Sequence, residues 1–279
     1  DESARYKFPV PMMNLINGGA HSDSGLDVQE FMAVPFGFNN FTERVRAGAE
    51  TYHFLKKTLT EEGYRTAVGD EGGFAPKLKT NEMALDFIQK AIKLAGYNKK
   101  QVGTGIDAAA SEFFDREKKE YLLALEGLKL RSERLQELYE KWIDKYNMQV
   151  IEDPMSEFDW EGWKNFTKDN YQKLPIIGDD LLVTNSELLQ KAIDEEACNA
   201  VLVKVNQIGS LSETMETIKL AQNNDFSVII SHRSGETVDD FIADLAVAVE
   251  ADYVKFGAPA RSERNTKYNR IMEIEQREI

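Results

Sequence analysis

Seven short apolar runs in this chain meet ionisable side chains at one end: Glu30, Asp107, Glu152-Asp153, Asp179-Asp180, Lys204, His232-Arg233 and Lys255. One charged strand end is ordinarily a solvated terminus or a helix cap, and Asp153, Asp180 and Glu236 are read that way, as caps or supporting partners. A whole series is different if the strands lie side by side, because every member then points into one mouth. Asp107, Glu152 and Asp179 arrive on successive runs with no Cys or His beside them. Three converging carboxylates suit a hard cation with oxygen ligands, foremost Mg²⁺. The alternative pairs them with Lys204 and Lys255, which balances two of three charges and leaves a buried anion. Lys204, within "LVKVNQ", is a candidate general base, since a nearby metal and the second cation Lys255 both lower the pKa of an ammonium. Such a pocket suits removal of a weakly acidic proton beside a carboxylate, where a metal holds the resulting negative charge.

Three further segments carry candidate chemistry. In "VIISHRSGET" (228–237), His232, Arg233 and Ser234 follow a β-branched run. A Ser-His-acid nucleophile, an anion clamp and a polar turn all fit that pattern. "GDEGGFAP" (69–76) sets Asp70-Glu71 between glycines. Its ordinary reading is a tight turn, yet two acids in a flexible turn suit proton donation or acceptance, with backbone N–H groups open to an anion or water. "NGGAHSDSG" (17–25) surrounds His21 with hinge residues and reads as a mobile loop, a weak signal alone. His53, at helical period in "AETYHFLKK", is read as a structural helix residue, and Trp142 and Trp163 as core.

The elements that must position these residues alternate along the chain. Apolar runs at 12–16, 31–34, 104–109, 148–153, 174–180, 200–206, 227–232 and 253–257 are separated by helix-like stretches near 41–61, 81–95, 131–146, 159–171, 185–196, 210–223, 237–249 and 262–278. Thr80 or Asn81, Asn185 and Ser262 are plausible helix caps. Continuous apolar strands alternating with amphipathic helices indicate an α/β fold with a parallel sheet covered by helices. Eight strands favour a closed barrel over an open doubly wound sheet. The first two strands lack a helix-length spacer, so the start is expected to be antiparallel.

Composition narrows the function classes. The 279 residues are 42% hydrophobic and 29% charged, as in globular proteins with a sizeable core. With 48 acidic against 34 basic residues and a formal charge of −14, the surface repels a phosphate backbone, so no nucleic-acid partner is expected. No run is long enough for a membrane span, and the N-terminus has no basic-then-apolar signal. The lone Cys198 excludes an internal disulfide framework and a Cys-based zinc site, in keeping with a reducing cytoplasm. With no linker or low-complexity tract, residues 1–279 are expected to form one domain.

Taken in order, "PVPMMNLINGGAH", "QEFM", "TAVGDEGGFAP", "AASEF", "IEDP", "GDDL", "KVNQIGSL", "SHRSGET" and "GAPARSERN" run from about Pro9 towards Ile274 and resemble the enolase family. The resemblance implies a TIM-type (β/α)8 barrel with an irregular ββαα start, and Mg²⁺-dependent dehydration of 2-phosphoglycerate to phosphoenolpyruvate. It implies that Asp107, Glu152 and Asp179 hold Mg²⁺ and that Lys204 removes the proton alpha to the carboxylate. Glu71, with Glu30, would help hydroxide leave, and Lys255 would meet the substrate carboxylate. Arg233 and Ser234 would contact phosphate, with His232 and His21 close by, so "SHRSGET" becomes an anion clamp and the nucleophile reading is dropped.

The family also carries an N-terminal α+β cap, whose loop supplies a second Mg²⁺ site and whose contacts help form a homodimer. The present chain starts a few residues before the first barrel motif and is expected to be the barrel domain without that cap. Phe256 stands where the family has a small polar or β-branched residue. Strand alternation should turn it outward to the helices while Lys255 points in. Two other readings are another enolase-superfamily enzyme acting on a carboxylate, and a non-catalytic barrel used as a scaffold.

Overall fold

Runs of aliphatic residues form strands here, and amphipathic stretches opened by polar caps form helices. The structure, a computed structural model, describes residues 7–278. In chain order the strands are β1 (Val10–Pro11), β2 (Met13–Asn17), β3 (Glu30–Val34), β4 (Gly103–Asp107), β5 (Phe114–Asp115), β6 (Glu120–Leu123), β7 (Leu128–Leu130), β8 (Met148–Glu152), β9 (Ile176–Gly178), β10 (Ala200–Val203), β11 (Ser227–Ser231) and β12 (Tyr253–Lys255). The helices are α1 (Phe41–Glu61), α2 (Asn81–Leu94), α3 (Ser132–Lys145), α4 (Trp160–Asn170), α5 (Ser186–Asp194), α6 (Val205–Ile208), α7 (Leu211–Asn223), α8 (Phe241–Ala248) and α9 (Ser262–Glu278). Thr80 and Asn185 cap α2 and α5 as expected, Asn40 and Ser210 cap α1 and α7, and Ser262 is the first residue of α9.

β1 and β2 are one strand interrupted at Met12. β1 pairs in parallel with β12, and β2 pairs antiparallel with β3. The Met12 N–H donates to the Val254 carbonyl at 2.8 Å, so the first strand joins the last and the circuit closes. From β3 it passes antiparallel to β4, then in parallel through β8, β9, β10, β11 and β12. The antiparallel start and the α/β barrel match the expectation.

Strand parity places the chemistry. Met12, Met32, Val150, Ile177, Leu202 and Ile229 fill the barrel interior. Two residues along each strand, towards a common mouth, stand Asn14, Glu30, Glu152, Asp179, Lys204 and Ser231. Asp107 and Lys255 end β4 and β12 at the same level, and Glu30 joins them because β3 runs the other way. The opposite parity faces the helices. Phe256 is fully buried there, its ring 5.6 Å from that of Tyr268 on α9. Trp142 and Trp163 are core residues, whereas His53 lies exposed on α1.

Two features differ from the expectation. The helix anticipated over 237–249 begins only at Phe241. Buried Lys267 donates to the Thr237 carbonyl at 2.8 Å, and Asp239 accepts from the Phe241 N–H at 3.0 Å, which holds the preceding residues in a loop. β5, β6 and β7 form a separate small antiparallel sheet that no strand run announced. Its anchor is the Tyr121 hydroxyl, which donates to Asp159 at 2.8 Å and accepts from the Ser156 N–H at 3.0 Å. No helix among the described residues is long and apolar enough to cross a membrane.

The last helix also fastens the first. Glu275 on α9 accepts from the N–H groups of Phe41 and Thr42 at 2.5 and 2.9 Å and from the Thr42 hydroxyl at 2.7 Å. It thereby caps α1 with a buried carboxylate from the neighbouring helix. Glu275→Ala leaves two helix N–H groups unsatisfied and should lower the free energy of unfolding by ~1–2 kcal/mol in urea titrations. An unchanged midpoint would show that water takes over this cap.

Candidate active site

The mouth of the barrel is a buried cluster of charge. The Lys255 ammonium lies 2.9 Å from Glu30, 3.0 Å from Asp107 and 2.8 Å from both oxygens of Glu152. Lys204 donates to Asp179 Oδ2 at 2.5 Å. All five carboxylates at the mouth (Glu30, Glu71, Asp107, Glu152 and Asp179) are at least nine-tenths buried. The pairing of carboxylates with Lys204 and Lys255, set against the metal reading above, is therefore the arrangement observed. It does not balance the site. If all five carboxylates were ionised they would outnumber the nearby cations Lys204, Lys255 and Arg264, before Asp153 and Asp180 are considered.

That surplus is felt by the individual groups. Burial and then Glu71 push Glu30 well above the usual carboxylate range, against the pull of Lys255. Burial and Asp107 do the same to Glu152, and burial and Asp179 to Asp153. Asp180 is pushed up to about 6, by burial first and Asp179 second. For Lys255, burial opposes the charge, but Asp107, Glu152 and Glu30 outweigh it and hold the ammonium firmly protonated. The lowered pKa expected for Lys204 is not found. Burial does act in that direction, but Asp179 beside it wins and the pKa is raised. A cation that took up the charge of Asp179 would remove that hold.

The donor set fits such a cation. Asp179 Oδ1 and Glu30 Oε2 are buried and have no hydrogen-bond partner among the described residues. Oxygen donors alone, with no sulfur or imidazole between them, suit Mg²⁺. Oxygens of Asp153, Asp179 and Asp180 lie within 4.8 Å of one another. Only Asp179 of the three expected ligands belongs to that group, and Asp107 and Glu152 contact Lys255 instead. Asp153 is a brace: its two oxygens accept from the N–H groups of Asp179 and Asp180, each at 2.9 Å. This is the supporting position expected for it.

Glu71 and His232 form the other side of the mouth. Glu71 Oε2 accepts from Asn14 at 2.9 Å, and Glu71 Oε1 faces His232 Nε2 at 3.5 Å. The Glu71 carbonyl is held by the Ala258 N–H at 2.9 Å, so its turn is docked on the segment after β12. His232 is kept below the ordinary histidine range by burial, which outweighs the opposing effect of Glu71. Arg233 lies half-buried and reaches Asn206 at 3.5 Å, while Ser234 is exposed beside it. Glu236 comes within 3.7 Å of Lys267, a supporting contact. His21 ends a short 3-10 turn, Gly19–His21, and its side chain lies outside the described residues.

Three residues of this region are not singled out by the sequence reading. Asn14 follows strand parity and could be found from it. Arg264 and Gly257 sit within or beside "GAPARSERN", where no period or charge pattern distinguishes them.

The surplus of charge has a consequence for stability. Glu30 has an ordinary value of 4.5, and folding raises it. The folded state therefore keeps a proton that the unfolded chain has released, and the stability this contributes is lost as pH climbs through the folded pKa. Glu30→Gln removes that loss. In chelator, the variant should unfold at nearly the wild-type temperature below about pH 5 and ~2–4 °C higher towards pH 8, by calorimetry. A difference that does not grow with pH would contradict it.

The sequence matches the family described as enolase, C-terminal TIM barrel domain, over residues 5–278. It is 51% identical over 269 residues to the enolase of a Nitratiruptor species, an alignment that covers 96% of this chain and 63% of that protein. The chain therefore spans less than two thirds of the length of this relative. With a match across almost every described residue, on a barrel whose strands end in this carboxylate and lysine cluster, the chain belongs to the enolase family through its C-terminal TIM barrel domain.

Proposed function

We propose that the chain is the barrel part of a cytoplasmic, Mg²⁺-dependent hydro-lyase of glycolysis that converts 2-phosphoglycerate to phosphoenolpyruvate. The observation that carries this reading is that two lysines, the part-buried Lys204 and the buried Lys255, engage one carboxylate cluster while Glu71 and His232 stand at the same mouth. Proton abstraction and departure of a hydroxyl require a base and an acid placed about a single bound substrate.

In this reading Lys204 takes the proton alpha to the carboxylate, and Lys255 keeps its charge to meet the substrate carboxylate. Glu71, with Glu30, receives the leaving hydroxyl and supplies its proton. Arg233 and Ser234, on the exposed lip beside His232, contact the phosphate, and His21 lies on the loop that approaches it. Asp107, Glu152 and Asp179 would hold Mg²⁺, which supplies a fixed positive charge for the negative charge that develops on the substrate carboxylate. Withdrawing Asp179 from Lys204 favours the neutral amine that a base must be.

The two half-reactions can be separated. Lys204→Ala should abolish exchange of the alpha proton of 2-phosphoglycerate with deuterated water. Glu71→Gln should keep the exchange and lose phosphoenolpyruvate formation, followed by ultraviolet absorbance. Exchange that survives in Lys204→Ala would remove this residue as the base. Titration calorimetry should show Mg²⁺ binding to the wild type, weakened on the order of tenfold or more in Asp179→Asn. Equal binding by both would move the metal away from Asp179.

A further inference from the structure

Arg264 on α9 is fully enclosed and makes an unusual set of contacts for an arginine. Its Nη1 lies 2.5 Å from His232 Nδ1 and donates to the Arg233 carbonyl at 2.7 Å. Its Nη2 donates to the carbonyls of Asp70 and Ser234, at 3.1 and 2.7 Å. One guanidinium thus grips the backbone on both sides of the pair formed by Glu71 and His232. No carboxylate is among these contacts, so the group is placed for geometry rather than for charge pairing.

The contact to Nδ1 has a chemical consequence. A guanidinium has hydrogens to donate and no acceptor atom. At this distance His232 Nδ1 must therefore be the acceptor, and the imidazole hydrogen is left on Nε2. Nε2 is the atom that faces Glu71 Oε1 at 3.5 Å, with both side chains almost completely buried. We propose that Arg264 is a positioning residue that fixes the tautomer of His232, so that a single N–H is aimed at Glu71 on the leaving-group side of the site. The catalytic consequence rests on the function proposed above, whereas the tautomer does not.

Gly257 supports the same arrangement independently. Its φ is +88°, and a Cβ there would stand 2.8 Å from the Glu71 carbonyl oxygen, 3.0 Å from Arg264 Cδ and 3.0 Å from His232 Cε1. The three groups close around a position that only glycine can occupy without pushing them apart. Backbone and side-chain packing therefore converge on one relative placement of Glu71, His232 and Arg264.

The test uses the full chain labelled with ¹⁵N-histidine and long-range proton–nitrogen NMR at neutral pH. Only three histidines are present, and His53→Gln and His21→Gln assign the His232 signals by elimination. Wild-type His232 should show an unprotonated Nδ1 and a protonated Nε2. Arg264→Lys retains a donor and should keep that signature, and Arg264→Met should lose it. In turnover of 2-phosphoglycerate, Arg264→Met should lower kcat on the order of 10- to 100-fold with KM little changed, and Arg264→Lys should restore part of the loss. A hydrogen on Nδ1 in the wild type, or an unaltered Nε2–H signature and kcat in Arg264→Met, would overturn the proposal. If Arg264→Met does not fold, the wild-type and Arg264→Lys spectra still decide it. Absence of turnover in the wild type counts against the proposed function alone, because the NMR signature is read without substrate.

Discussion

The ammonium of Lys255 is what allows three neighbouring strands to end in buried carboxylates. Glu30, Asp107 and Glu152 come from β3, β4 and β8, and Lys255 reaches them from β12 across the barrel. Without that charge, three carboxylates at the closed mouth would lack their shared partner, and burying an unpaired ionised one costs far more than packing returns. Strand parity then does the rest. The row that fills the lower barrel with aliphatic side chains emerges at the mouth as ionisable ones, so the core and the site are two ends of one pattern.

The cluster is not built for stability. More carboxylates than cations share a space from which water is largely excluded, and several carry pKa values pushed well up by burial and by one another. A protein selected only to fold would replace such a group with an apolar one of similar size. Its retention makes sense if a divalent cation completes the electrostatics. In the same view the grip of Asp179 on Lys204 is a resting arrangement: the residue proposed as base is held protonated by the carboxylate proposed to hold metal.

Much of this is legible in the sequence, for a physical reason. Barrel strands are short continuous apolar runs, and the residue in phase at the mouth end of each run must face the mouth. Glu30, Asp107, Glu152, Asp179, Lys204 and Lys255 can be read that way, along with the antiparallel start. Long-range contacts are not legible. Nothing local marks Arg264 as the partner of His232, or Gly257 as the gap between them, because their partners lie elsewhere in the chain. The small sheet of β5, β6 and β7 escapes a reading by periodicity because its strands are only two, four and three residues long. The pKa of Lys204 escapes it too, because its sign depends on whether Asp179 faces a metal or the lysine itself.

The docking of the Glu71 turn onto the segment that follows β12 also sets an order of events. Asp70 and Arg264 are 194 positions apart, and Lys255 is 148 and 103 positions from Asp107 and Glu152. Contacts of such sequence separation form late, after the loops between them have been closed by local structure. A chain growing from its N-terminus therefore holds Glu30, Glu71 and Asp107 as ordinary solvated acids throughout most of its synthesis. Glu30 gains its raised pKa, and all three gain a shared geometry, once β12 and α9 have been made. Assembly of the barrel and the gathering of these groups at its mouth are in that sense one event, and a partly folded chain has none of the cluster rather than a fraction of it.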